Sequence, residues 1–138
     1  MTLTILLKLA AVCHLGLIAA GALMPAVVDL WRHVRGLPPF VRQLFKVYYV
    51  FIGFILVSFG LLTWFCAEEL AGGTTLAKAM CCLMAGFWLL RLLVAAFVFD
   101  VRPYLSNGFY RAGYSATNVV FAALPFAYLW VALNGGAQ

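Results

Sequence analysis

The chain has 138 residues, of which 67% are hydrophobic, 16% aromatic and 9% charged, with a formal net charge of +5 and a mean hydropathy of +1.07. A water-soluble domain is roughly half apolar and about a quarter charged, so this composition excludes both an ordinary soluble enzyme and a disordered polar segment. The positive balance is spread over short inter-run stretches and forms no nucleic-acid motif, which leaves a membrane as the expected environment.

Four apolar runs follow in chain order. The first covers 9–28, between Lys8 and Asp29, with His14 as its one interruption, and predicts a helix over 5–31. The second covers 47–67, between Lys46 and the pair Glu68 and Glu69, and predicts a helix over 40–67. The third covers 79–99, between Lys78 and Asp100, with Arg91 inside it, and predicts a helix over 75–101. The fourth predicts a helix over 112–133, opening on Ser115, Thr117 and Asn118 and closing at the polar tail "NGGAQ". Twenty helical residues rise about 30 Å, the thickness of a hydrocarbon core, so each run is long enough to span once. The expected fold is all-α: an integral membrane protein built as an antiparallel four-transmembrane-helix bundle, with residues 1–138 as a single domain.

The connections carry the breakers such a bundle needs. Gly36, Pro38 and Pro39 interrupt the first, "EELAGG" forms the second, and Pro103 with Asn107-Gly108 marks turns in the third. Arg32, Arg35, Arg42 and Lys46 surround the first connection and Arg102 and Arg111 lie in the third, whereas the second carries Glu68 and Glu69. The positive-inside rule therefore predicts a cell (inner) membrane protein with loops 32–39 and 101–115 cytoplasmic and both termini outside. The first segment is expected to stay in the protein, because it lacks a basic stretch before its apolar run and that run is too long for a signal peptide.

Arg91 is the first anomaly. Its backbone lies nine residues from Asp100, about 13 Å inside the boundary and too deep for snorkelling to reach the headgroups. A charge at that depth faces the bundle interior or a wet cavity. The nearest groups able to meet it are Asp29, Tyr49 and Asn118 on other helices, with Ser58 nearer its own level, so a polar cluster of Arg91, Asp29, Tyr49, Asn118 and Ser58 is expected. Such a cluster either binds a ligand or only locks the helices together, and position in the sequence does not separate the two.

His14 is the second. Cys13 adjoins it, and Cys81 and Met84 on the third run reach a similar depth, a donor set that suits copper(I) or an axial haem ligand. Against a metal, Cys81 and Cys82 point about 100° apart on a helix, and His33, the other histidine, lies in a loop. The expectation is no cofactor and a histidine hydrogen-bonded across helices, with haem or copper at His14, Cys13, Cys81 and Met84 as the alternative.

Two further features concern association. Gly16, Ala19, Ala20, Ala22 and Ala26 on the first run, and Gly53 and Gly60 on the second, predict close helix approach within the bundle or between copies. Pro25 and Pro125 predict kinks whose freed carbonyls help satisfy Arg91. Arg102, Tyr104, Tyr110 and Arg111 in the third connection read either as an aromatic belt with snorkelling arginines or as a docking surface.

The inventory argues against catalysis: no carboxylate pair lies within the runs, no serine sits beside an evident base, and no glycine loop suits a phosphate. The expected function is that of a non-catalytic subunit or assembly partner of a larger membrane complex. The alternatives are a dimeric small-molecule or anion transporter using Arg91, and a haem-, quinone- or lipid-binding membrane protein. The expected partners are the lipid bilayer and other membrane subunits or a second copy, with no nucleic acid.

Overall fold

The computed structural model describes residues 2–98 and 107–136, and every regular element among them is helical. In chain order these are α1 (Leu3–Val27), α2 (Leu30–Arg35), α3 (Pro39–Phe65), α4 (Ala67–Ala71), α5 (Thr75–Phe97) and α6 (Gly108–Asn134). Four of them, α1, α3, α5 and α6, are long and apolar enough to cross a membrane.

Two expected helices end early, and a short extra helix follows each. The helix expected over 5–31 stops at Val27, because Asp29 takes the left-handed conformation at φ 47°, and the chain restarts as α2. Aspartate is one of the few side chains that tolerates this conformation, and here the His33 ring bonds the Asp29 carbonyl at 3.0 Å. The helix expected over 40–67 ends at Phe65, and Cys66 (φ −104°, ψ 28°) turns the chain into α4. At the other ends local chemistry sets the boundaries. Pro39 occupies the first turn of α3, where its missing N–H costs nothing, and the Thr74 hydroxyl accepts from the Ala77 N–H at 3.2 Å to cap α5. Helix α6 starts at Gly108, about one turn before the expected 112.

The main packing pairs are α1 with α3 and α5 with α6, with α1 also against α6. Short α4 closes one end: Ala67 and Leu70 are buried in the same core as Leu3, Leu7, Val131 and Ala132, while Glu68 and Glu69 stay exposed. Backbone meets backbone there as well, since the Gly136 N–H donates to the Ala71 carbonyl at 3.2 Å. Gly73 has φ 71°, and a Cβ on it would fall 2.2 Å from the Gly135 carbonyl carbon and oxygen, so this approach admits glycine alone.

Helix α3 is the least covered element. Gly60 and Thr63 are its buried residues, Gly60 against α1 and Thr63 against α5 and α6, while its large apolar side chains from Phe40 to Phe65 are mostly exposed. The small-residue stripe on α1 is not used within the chain: a Cβ at Gly16 would meet nothing within 4 Å, and Ala19, Ala22 and Ala26 are exposed, which leaves the alternative of approach between copies. Close approach occurs instead at Gly60, where a Cβ would lie 3.1 Å from the His14 Cβ.

Candidate functional site

The most polar part of the interior forms around His14. Placed on the inner face of α1 opposite the gap left by Gly60, its imidazole is fully buried. Nδ1 lies 2.8 Å from the Ala10 carbonyl oxygen, one turn back on α1, and Nε2 lies 3.2 Å from the indole nitrogen of Trp88 on α5. A carbonyl only accepts and an indole only donates, so Nδ1 carries the proton and Nε2 receives the Trp88 N–H. The partners therefore dictate one neutral tautomer, with both nitrogens engaged.

Around this pair the other helices contribute aromatic and hydroxyl groups. The His14 ring meets Trp88 edge-on at 5.1 Å between centroids and Tyr128 of α6 at 6.2 Å. The Tyr128 hydroxyl lies 2.7 Å from the Thr63 hydroxyl of α3, and Thr63 also donates to the Met84 sulfur of α5 at 3.8 Å. Thr63 has a single proton, so the Tyr128 hydroxyl donates to Thr63 when Thr63 donates to Met84. All four long helices thus meet through His14, Thr63, Trp88 and Tyr128, each fully or almost fully buried. Among the described residues no buried side-chain nitrogen or oxygen lacks a hydrogen-bond partner.

The aromatic packing continues from Trp88 toward Arg91. Phe121 of α6 stacks on Trp88 at 5.6 Å and 27°, and the Arg91 guanidinium carbon lies 5.5 Å from the Phe121 ring centre. Trp88 and Arg91 are three positions apart on α5, so both reach the same side of α6. A guanidinium over an aromatic face gains roughly 0.5–1 kcal/mol where it keeps solvent contact and more where it is desolvated, and Arg91 is half-buried.

The residues expected around Arg91 take separate places. Asn118 is half-buried on α6, three positions before the Phe121 that Arg91 packs on. The expected Asp29–Arg91 pair is replaced: Asp29 sits exposed in the α1–α2 break, 4.0 Å from Arg32. Tyr49 does not join Arg91 either. Its hydroxyl donates to the Gly21 carbonyl at 2.7 Å, the carbonyl that Pro25, having no N–H, leaves without its helical partner. The carbonyl freed by Pro25 is thus met by α3. Ser58 bonds the Phe54 carbonyl of its own helix at 2.8 Å.

Of the donor set considered for haem or copper, two members are hydrogen-bonded to other groups. His14 offers no open nitrogen, the Met84 sulfur accepts from Thr63, and Cys81 is fully buried while Cys13 is only half-buried. No group of three or more His, Cys, Asp or Glu that could hold a metal ion occurs among the described residues. Of the docking residues, Arg111 is exposed in the first turn of α6, while Arg102, Tyr104 and the Tyr110 side chain lie outside the described residues.

Thr63, Trp88 and Tyr128 are the members that sequence reasoning missed. The available signal was chemical: an indole N–H and a phenol inside apolar runs each need a partner when buried, and His14 supplies an acceptor. No protein-family model matches the chain, and neither a curated protein nor a solved structure matches it.

Proposed function

We propose that the chain is a non-catalytic subunit or assembly partner of a larger membrane complex, inserted as an antiparallel four-helix bundle in a cell membrane. In this arrangement the α1–α3 and α5–α6 connections lie on the cytoplasmic side, with Arg32, Arg35, Arg42 and Lys46 at the first of them. The observation that carries the reading is the saturation of the interior. His14, Thr63, Trp88 and Tyr128 are consumed in bonding one helix to another, so the groups with chemical capacity act as a lock.

The surface supports the same reading. The chain exposes 9153 Å², against about 7,000 Å² for a compact soluble chain of its 15.1 kDa mass, and α3 carries much of the exposed apolar area. Lipid covers such a surface, and so do neighbouring transmembrane helices.

Affinity isolation of the tagged full chain from native membranes, with mass spectrometry of what accompanies it, tests the proposal. The expected result is one or more integral membrane proteins recovered in fixed ratio to the chain. Migration as an isolated chain or homodimer, together with anion flux in proteoliposomes that an Arg91→Gln variant abolishes, overturns it in favour of transport.

A further inference from the structure

The first two turns of α3 carry cations that the helix lock does not use. From Val47 to the end of α3 at Phe65 the helix rises about 28 Å, close to the roughly 30 Å hydrocarbon thickness. Lys46 therefore stands at the boundary, and Arg42, four residues earlier, stands in the headgroup layer on the same face of the helix. Beside Lys46 the outer surface of α3 has a shallow, widely open depression of about 260 Å³ between the side chains of Lys46, Val47, Val50 and Phe51.

Helix α2 packs on α1 and reaches α3 through Trp31, which meets the Tyr49 ring edge-on at 6.2 Å, while Tyr49 in turn stacks on Phe45 at 6.3 Å. Its Val34 is buried, and Arg32 and Arg35 are exposed. Helix α2 and the first two turns of α3 thus carry four cations, and among the described residues of this stretch the one carboxylate is Asp29, whose contact with Arg32 is a long 4.0 Å between exposed groups.

We propose that this end of α3 is a binding site for an anionic phospholipid, its phosphate held by Arg42 and Lys46 with support from Arg32 and Arg35, and an acyl chain lying along Val47, Val50 and Phe51. The inference rests on the membrane-spanning arrangement proposed above. Charge complementarity selects an acidic ligand, and the exposed apolar face of Val47, Val50 and Phe51 next to Lys46 selects an amphiphile over an acidic peptide. An acidic peptide gains nothing from an apolar face at hydrocarbon depth, whereas a phospholipid matches both halves.

The test is native mass spectrometry of the full chain in mild detergent, titrated with phosphatidylglycerol or with phosphatidylcholine. Three proteins are compared: the natural chain, Arg42→Gln/Lys46→Gln, and Val50→Trp, which fills the depression from an exposed position and leaves the charge intact. The expected result is preferential retention of phosphatidylglycerol, weakened roughly 30-fold by removing the two cations and roughly tenfold by Val50→Trp. Equal retention of both lipids overturns the proposal, as does unchanged retention by Val50→Trp. Competition by glycerol phosphate as strong as by the whole lipid overturns it by assigning a phosphate site without a chain. Charge-dependent recovery of an acidic protein without lipid selectivity overturns it in favour of a protein contact. Carbonate extraction of the same membranes separates the two readings: release into the soluble fraction defeats membrane insertion itself, while retention without lipid selectivity defeats only the lipid site.

Discussion

Trp88 on α5 donates its indole N–H to Nε2 of His14 on α1 across 3.2 Å, joining residues 74 positions apart in the chain. Deleting one partner of a buried pair leaves the other unsatisfied, which costs about 1–3 kcal/mol, whereas removing both restores part of that loss. Trp88→Phe is therefore expected to lower the melting temperature of the detergent-purified protein, and His14→Leu/Trp88→Phe to be less damaging than the two single effects added together. Simple additivity in that double-mutant cycle would show that the bond contributes nothing.

Tyr49 and Pro25 form a second coupled pair, through the Gly21 carbonyl. Tyr49→Phe removes the hydroxyl and is expected to cost about 0.5–1.5 kcal/mol, the usual net contribution of one such hydrogen bond. Pro25→Ala supplies the backbone N–H that the helix lacks, so in that background Tyr49→Phe should become nearly silent. Unfolding titrations of the four proteins read this directly, and an equal penalty in both backgrounds would disprove the carbonyl-capping role.

Two hydroxyls in α3 predict opposite sensitivities. Ser58 bonds a carbonyl of its own helix, so Ser58→Ala is expected to change stability by less than about 0.5 kcal/mol. Thr63 bonds Tyr128 of another helix in a fully buried place, so Thr63→Val should cost about 1 kcal/mol or more while Thr63→Ser retains the contact. Thermal melts of these variants rank them, and a Thr63→Val protein as stable as Ser58→Ala would remove Thr63 from the lock.

The glycines divide in the same way. Gly73→Ala places a Cβ within 2.2 Å of the Gly135 backbone at a left-handed φ, so both sterics and conformation oppose it. Gly86, in the middle of α5, has nothing within 4 Å of an added Cβ, and Gly86→Ala is expected to be neutral or to stabilise by roughly 0.5–1 kcal/mol. Limited proteolysis at the α4–α5 turn, faster in Gly73→Ala and unchanged in Gly86→Ala, provides the measurement.

Four apolar runs separated by charge, proline and glycine were enough to locate the long helices, because run length against a 1.5 Å rise is a property of the residue order alone. The oddity of His14 and Arg91 was equally plain, since a polar group in an apolar run stands out without coordinates. The divisions at Asp29 and Cys66 were hidden, because each depends on one residue's backbone conformation inside a segment whose composition still reads as helix.

What the order of residues left open was which polar group answers which. Tyr49 lay within plausible reach of an arginine and of a proline-freed carbonyl, and the α1–α3 packing brought it to the carbonyl. His14 was compatible with a metal, a cofactor or another side chain, and the juxtaposition of α1, α5 and Gly60 gave it Trp88. Helix periodicity restricts a side chain to one face of its own helix, but partner choice depends on the rotation and height of a second helix. Those are set by packing of the whole assembly, so local pattern could announce that partners were needed and only three-dimensional contact could assign them.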